Sequence, residues 1–346
     1  MSEQPKTRIL IVGAGSMGII TGYHLSLAGA DVTFLIRPHR AKALDHPQIL
    51  YCYDDNKLKE YTGYRYITDP SKIIGANYDY IVITLDGASL RTETGVSLVK
   101  TIGEAARQTS TKIILGSIFF NLRAWFLQVS GLAGEQVTNG YLYIHIYSPK
   151  DVTLPLHDSV DPGLIAKADF AYTDKLGQGF AVDDSSPAVA EGFAKIYNAS
   201  GVSKCVVRPA LEIAANLDSV FPIFAACELL DWPKFQDIGG KGELWSLAVA
   251  AVKEVQSLSI HGEPGQQAAS ATTEDGLAAT MAAMEKQMLP FDLQEFYRFH
   301  HGKKVNVQDL EHLRACVAFG EAEGKPMRAL KELLRRVEDH QVAATR

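Results

Sequence analysis

Short apolar runs alternate with amphipathic stretches over the first two hundred residues. Apolar runs at residues 8–13, 31–36, 66–68, 78–84, 112–118, 140–147, 168–172 and 204–207 predict strands, and residues 17–28, 97–108 and 187–199 predict helices. The strands at 8–13 and 112–118 are apolar almost throughout rather than alternating, as strands buried on both faces are. Strands interleaved with helices predict a parallel sheet covered on both sides. Beyond Arg208-Pro209 the strand-like runs stop. Stretches rich in Ala, Leu, Glu and Lys at 210–230, 243–258, 273–288, 309–323 and 327–337 predict helices, and 261–271, with Gly262, Pro264 and Gly265, predicts a connecting loop. The reading is an α/β domain over residues 1–208 followed by an all-helical domain over 209–346.

Composition narrows the class. A chain of 346 residues is long enough for two domains, and 47% hydrophobic with 21% charged residues is ordinary for a globular protein. A net charge of −6 without concentrated Lys and Arg argues against nucleic acid or an anionic membrane as partner. No apolar run approaches the roughly 18 residues of a membrane span, and the polar start before Arg8 lacks the apolar region of a secretory signal. Cys52, Cys205, Cys227 and Cys316 show no metal-ligand spacing, so reduced thiols in a cytoplasmic protein and no metal are expected. The partner expected is a small-molecule substrate. Ala- and Leu-rich helix surface near 246–252 is compatible with a homodimer.

The chemistry begins at ILIVGAGSMG, where Gly13, Gly15 and Gly18 form a GxGxxG turn between a strand and a helix. The first glycine allows the tight turn, the second lets backbone approach a pyrophosphate, and the third lets helix and strand pack closely. Ser16 and Met17 open the helix, whose free N–H groups and positive dipole end suit phosphate. This context predicts a Rossmann dinucleotide-binding domain. The end of the next strand distinguishes the dinucleotides. An acidic residue there would bind ribose hydroxyls; Arg37 stands in its place, with Arg40 following, while Asp31 lies at the wrong end of the strand. A guanidinium matches a 2′-phosphate in charge and geometry, so NADPH is the expected cofactor.

With the glycine turn, the segment AGADVTFLIR and the order of Rossmann domain then helical domain, the chain resembles the ketopantoate reductase (2-dehydropantoate 2-reductase) family. The resemblance implies that Arg37 holds the NADPH phosphate. It extends to Gly302, residues 309–320 and Lys325-Pro326, which are similar to the family's last two helices. The family's lysine after the strand ending at Leu85 corresponds to Asp86-Gly87, and its Gln-Asn-Gly turn to Gly116-Ser117-Ile118. Leu85, Asp86, Ser117 and Asn121 are therefore the candidates to line the nicotinamide end. The catalytic Lys-x-x-x-Asn lies over Glu212 to Asn216, with glutamate replacing lysine, and the substrate-binding glutamate falls near Asn306. Lysine protonates the developing alkoxide and attracts a substrate carboxylate, which a glutamate repels. The implied activity is a reduction other than that of ketopantoate.

Glu212, Asn216 and Ser219 are spaced to share one helix face beside an apolar stripe of Ile213, Leu217, Val220 and Phe224. They are the candidate catalytic residues: Asn216 to hold a carbonyl or imine, and Glu212 as general acid if burial favours its neutral form. With Asp86, Glu212 also suits an amine-bearing substrate. Pro222 is expected to kink or end the helix, and Asp218 to lie on the surface. His300-His301 reads as polar residues at a loop or helix end. His145 and Tyr147 read as strand packing with Tyr141 and Tyr143, and residues 331–339 as a solvated helix. The reading is an NADPH-dependent reductase acting on the ketone or imine of a small oxo-acid-like substrate. An opine-type, amine-forming dehydrogenase and a non-catalytic NADPH-binding protein are the alternatives.

Overall fold

The computed structural model describes residues 6–344. These divide into two compact units, one of residues up to 153 with 159–209, the other of 154–158 with the residues from 210 onward.

The first unit is built on strands β1 (Arg8–Val12), β2 (Asp31–Leu35), β3 (Gln48–Cys52), β4 (Lys57–Tyr61), β5 (Arg65–Ile67), β6 (Tyr80–Ile83), β7 (Lys112–Leu115), β8 (Val137–Leu142), β9 (His145–Tyr147), β10 (Phe170–Thr173), β11 (Phe180–Asp183) and β12 (Cys205–Arg208). Its helices are α1 (Ser16–Leu27), α2 (Gly87–Arg91), α3 (Glu93–Ala106), α4 (Leu122–Ser130), α5 (Pro162–Ile165) and α6 (Pro187–Asn198). The main sheet runs β12-β11-β8-β7-β6-β1-β2-β5. From β5 through β2, β1, β6 and β7 to β8 every pairing is parallel, which is the Rossmann order with its reversal between β1 and β6. Alternate residues of β1 feed two cores. Ile9 and Ile11 pack on one face with Val32, Phe34 and Phe193, and Leu10 and Val12 on the other with Val99, Ile102 and Phe126.

A second, four-stranded sheet, β4-β3-β10-β9, belongs to the same unit. The sequence reading missed the β3–β4 hairpin, whose second strand, KLKEY, carries only half-buried and exposed residues before Tyr61. It also missed α4 and β11. The single strand expected at 140–147 is two. β8 pairs with β11 in the main sheet, and after Tyr143 and Ile144 the chain crosses to pair as β9 with β10. Tyr147 is thereby buried, its hydroxyl 2.7 Å from that of Tyr53.

The second unit is helical among the described residues: α7 (Ala210–Asp218), α8 (Phe221–Leu229), α9 (Gly242–Gln256), α10 (Gly262–Ala271), α11 (Glu274–Met288), α12 (Leu293–Phe299), α13 (Asn306–Ala322) and α14 (Arg328–Ala344). α9 is the buried axis, with Trp245, Ala248, Ala251, Val252 and Val255 at most 1% exposed. The Glu254 carboxylate accepts from the backbone of Ala329 and Leu330, which holds the start of α14 against α9. Three expectations are corrected. The helix expected over 210–230 breaks at Ser219 and Val220, with Pro222 in the first turn of α8 where its missing N–H costs nothing. The loop expected over 261–271 is α10. Gly262 supplies a start at φ +58°, Pro264 sits in the first turn, and a Cβ on Gly265 would meet the Gln256 carbonyl oxygen at 2.3 Å. The charged stretch at 331–339 is one side of a helix whose Leu330, Leu333, Leu334 and Val337 are buried. By length and composition the stretch Ala210–Leu229 is apolar enough to cross a membrane, which the sequence reading did not register; more than half of its most apolar window is buried.

Candidate functional site

The carboxyl ends of four neighbouring strands, β2, β1, β6 and β7, gather the residues expected at the cofactor. Gly13 turns the chain out of β1 at φ +104°, its N–H donating to the Leu35 carbonyl at 2.9 Å. A Cβ there would stand 3.0 Å from Thr84 Oγ1. A Cβ on Gly18 would stand 2.1 Å from the Gly13 carbonyl oxygen, so α1 can begin directly against the turn only with glycine at this position. Gly15 differs: a Cβ on it would meet nothing within 4 Å. It is exposed, caps α1 with no side-chain bond, and no acidic residue occupies the helix's first turn. The space beside Gly15 is thus open where α1 begins, and the first N–H groups of a helix are those that suit a phosphate. Met17 turns its side chain inward; a Cβ on Gly116 would lie 2.8 Å from its methyl and 2.7 Å from the Ile83 carbonyl oxygen.

Thr84, which sequence reasoning did not single out, ties these parts together. Its hydroxyl donates to the Val12 carbonyl at 2.9 Å, bridging β6 to the start of the glycine turn. Ser117 does the same between β7 and β6, donating to the Leu85 carbonyl at 2.5 Å while 6% exposed. Its hydroxyl is therefore a strand-end brace. Asp86 is exposed, but its carboxylate caps α2, accepting from the Ser89 N–H at 2.7 Å and hydroxyl at 2.5 Å. Gly87 lies under Phe119, where a Cβ would approach the ring's own Cβ to 2.4 Å. Asn121 is exposed in the left-handed region, φ +51°, at the start of α4, with its side chain uncommitted as a cap.

One strand across from the turn, Arg37 leaves β2 and begins a 3-10 turn that also carries Arg40. Both are exposed, and neither guanidinium has an ion pair or side-chain hydrogen bond among the described residues. Asp31 lies at the opposite end of β2, paired with Arg65. The position that would hold a ribose-binding carboxylate thus presents only positive charge.

In the helical unit, Glu212 and Asn216 lie exposed on α7, one turn apart. The burial expected of a general acid is not present at Glu212. Ser219 does not share their face. α7 ends at Asp218, and Ser219 is buried, donating to the Asn216 carbonyl at 3.1 Å and accepting from Gln256 Nε2 at 3.4 Å. Asn306 accepts from Gln341 Nε2 at 2.9 Å. Asp218, expected on the surface, is largely buried between His261 and His312. His301, expected as a polar helix end, stacks on Phe224 at 3.7 Å between centroids and lies 2.8 Å from Asp309. Burial pushes the Asp309 carboxyl up to about 8, with the charge of His312 opposing, and pushes His301 down to about 3. The signal that could have found these groups is spacing: Asp309 and His312 fall on the apolar side of α13, beside Leu310 and Leu313. Among the described residues no group of three His, Cys, Asp or Glu is arranged to hold a metal.

Sheet order, glycine turn and helical unit together define a Rossmann dinucleotide-binding domain followed by an all-helical domain. Residues 9–93, which include the turn and Arg37, match the family model described as ketopantoate reductase PanE/ApbA. The fold is shared over the whole length with solved structures. A 2-dehydropantoate 2-reductase from Geobacter metallireducens aligns at a TM-score of 0.67 and 18% identity, over 96% of this chain and 99% of that one. A 2-dehydropantoate 2-reductase from Methylococcus capsulatus aligns at 0.70 and 13%, over 98% of each chain. A D-mandelate dehydrogenase, solved with NADH and anilino(oxo)acetate, aligns at 0.66 and 13%, over 97% of this chain and 98% of that one. No curated protein matches the sequence. The chain is similar to ketopantoate reductases by sequence over residues 9–93 and by fold over nearly its whole length.

Proposed function

We propose that this chain is an NADPH-dependent reductase of a C=O or C=N group in a small oxo-acid-like substrate. The observation that carries the reading is the open cradle at Gly15 with the uncommitted Arg37 one strand away. In this reading the backbone N–H groups of Ser16, Met17 and Gly18 hold a pyrophosphate, and Arg37 with Arg40 a 2′-phosphate. NADPH, when bound, supplies the hydride. Leu85 and Ser117, just past the ends of β6 and β7, and Asn121, at the start of α4, would line the nicotinamide half. A relative by fold is solved with NADH and an oxo compound, and the matched family model is that of a reductase, which supports the class of reaction.

Asn216 offers an amide to hydrogen-bond the carbonyl or imine, and Glu212 presents a carboxylate one turn away. An exposed carboxylate where the resembled family has lysine disfavours an anionic partner and favours a cationic one. That observation supports the amine-forming reading: an iminium formed from an amine and a keto acid carries the charge Glu212 attracts. The test is NADPH oxidation against a panel of 2-oxo acids, each with and without ammonia or an amino acid. Turnover that requires the amine selects the second reading, and turnover without it selects a carbonyl reductase. Tight NADPH binding with no oxidation on the whole panel contradicts both.

A further inference from the structure

The end of α7 carries a carboxylate packed between two buried imidazoles that the candidate chemistry does not use. His312 Nε2, from α13, lies 3.2 Å from Asp218 Oδ1, and His261 Nε2, from the 3-10 turn before α10, lies 3.6 Å from Oδ2. Both imidazole side chains are 1% exposed and the carboxylate is 13% exposed. Phe221, the first residue of α8, lies over the His312 ring at 4.2 Å between centroids. One carboxylate therefore ties together α7, α13 and the turn before α10, with α8 added through the ring contact.

α7 needs such an anchor. It has nine residues, too few for a helix to hold its conformation without packing, and its Leu211, Glu212 and Asn216 face solvent. Ser219 and Val220 form a turn between α7 and α8, and only Ile213 and Ala215 of α7 are buried. Other groups bear on the cluster. Glu323 and Lys325 act on His261, with burial the main influence pushing that imidazole down, and Asp218 acts on the buried Cys316 thiol.

We propose that Asp218 is a positioning residue: held between His261 and His312, it fixes α7 and so sets the place of Glu212 and Asn216 for the reaction. The consequence for turnover rests on the reductase reading; the anchoring of α7 does not. The experiment uses the full chain with NADPH and the variants D218N, N216A, D218N/N216A and H312Q. In D218N, amide hydrogen exchange over residues 210–218 rises about tenfold or more, while NADPH affinity stays within about twofold. Turnover of whichever substrate the wild type accepts falls about tenfold in kcat with KM little changed, and D218N/N216A is no slower than N216A alone. H312Q, the fallback if D218N does not fold, shows the same changes in smaller measure. Unchanged exchange over 210–218 overturns the anchor, whether or not the wild type turns over. Additive kcat losses in the double variant overturn the positioning role. A wild type with no turnover contradicts the reductase reading alone, and exchange then decides the anchor.

Discussion

Gly18 stands against Gly13 so closely that a Cβ on the one would lie 2.1 Å from the carbonyl oxygen of the other. A Cβ on Gly15, between them, would meet nothing within 4 Å. The same motif thus contains a position occupied by packing and one left open for a ligand.

The two glycines should part under mutation. Gly18→Ala has no room and should lower stability by about 1–3 kcal/mol as the turn shifts. Gly15→Ala should leave stability within about 0.5 kcal/mol yet weaken dinucleotide binding several-fold, since its methyl enters the cradle. Urea midpoints and cofactor titration measure both. A Gly15→Ala variant with unaltered cofactor affinity would mean the cradle is not where the phosphate sits.

Ser117 makes a contrasting case. It is expected at the nicotinamide end, and its hydroxyl braces β7 to β6 through the Leu85 carbonyl. Ser117→Ala should cost about 1–2 kcal/mol of stability. NADPH affinity should fall less than the stability loss would suggest. A large loss of affinity at unchanged stability would return Ser117 to direct cofactor contact.

The buried pair His301–Asp309 should mark the stability curve. Between the ordinary values of 3.8 for the carboxyl and 6.5 for the imidazole, folded and unfolded chains each hold one proton on the pair. Above 6.5 the unfolded pair has lost that proton, whereas the folded pair keeps it until about 8. Stability from this pair is therefore lost as pH rises through that window, by roughly 2 kcal/mol at about 1.4 kcal/mol per unit. Below 3.8 the unfolded chain takes up a second proton that the folded pair resists until about 3, so stability falls on that side too. Urea midpoints at about pH 6.5 and 8.5 measure the alkaline limb. Asp309→Asn should flatten it, and an unchanged slope in that variant would assign it to other groups.

Much of this was legible in the sequence, for physical reasons that also explain what was not. β1, α1 and β2 combine an unbroken apolar run, three glycines and a helix stop, signals that are local in the chain. Arg37 could be placed at the end of β2 because that position is local in the chain. α10 was not, since its Pro264 and Gly265 signal a loop unless the first helical turn is recognised as the place that tolerates them. Ser219 was placed on the polar row by assuming the helix continued past Asp218. Asp218, His261 and His312 are separated by 43 and 51 residues along the chain, and only the helical packing brings them together.

Variants of Glu212 and Asn216 separate the roles proposed for them. Asn216→Ala should lower kcat about tenfold to a hundredfold by removing a hydrogen bond to the reacting group. Glu212→Gln should raise KM for an amine co-substrate with a smaller effect on kcat. Wild-type kinetics in both variants would remove α7 from the active site.

The most direct test of the central claim, a Rossmann cradle tuned to a 2′-phosphate, is a comparison of NADPH and NADH dissociation constants in wild type and Arg37→Ala. The account predicts that NADPH binds about tenfold or more tighter than NADH, and that Arg37→Ala removes most of the difference by weakening NADPH alone. NADH binding as tightly as NADPH in the wild type, or a variant that weakens both equally, would contradict it.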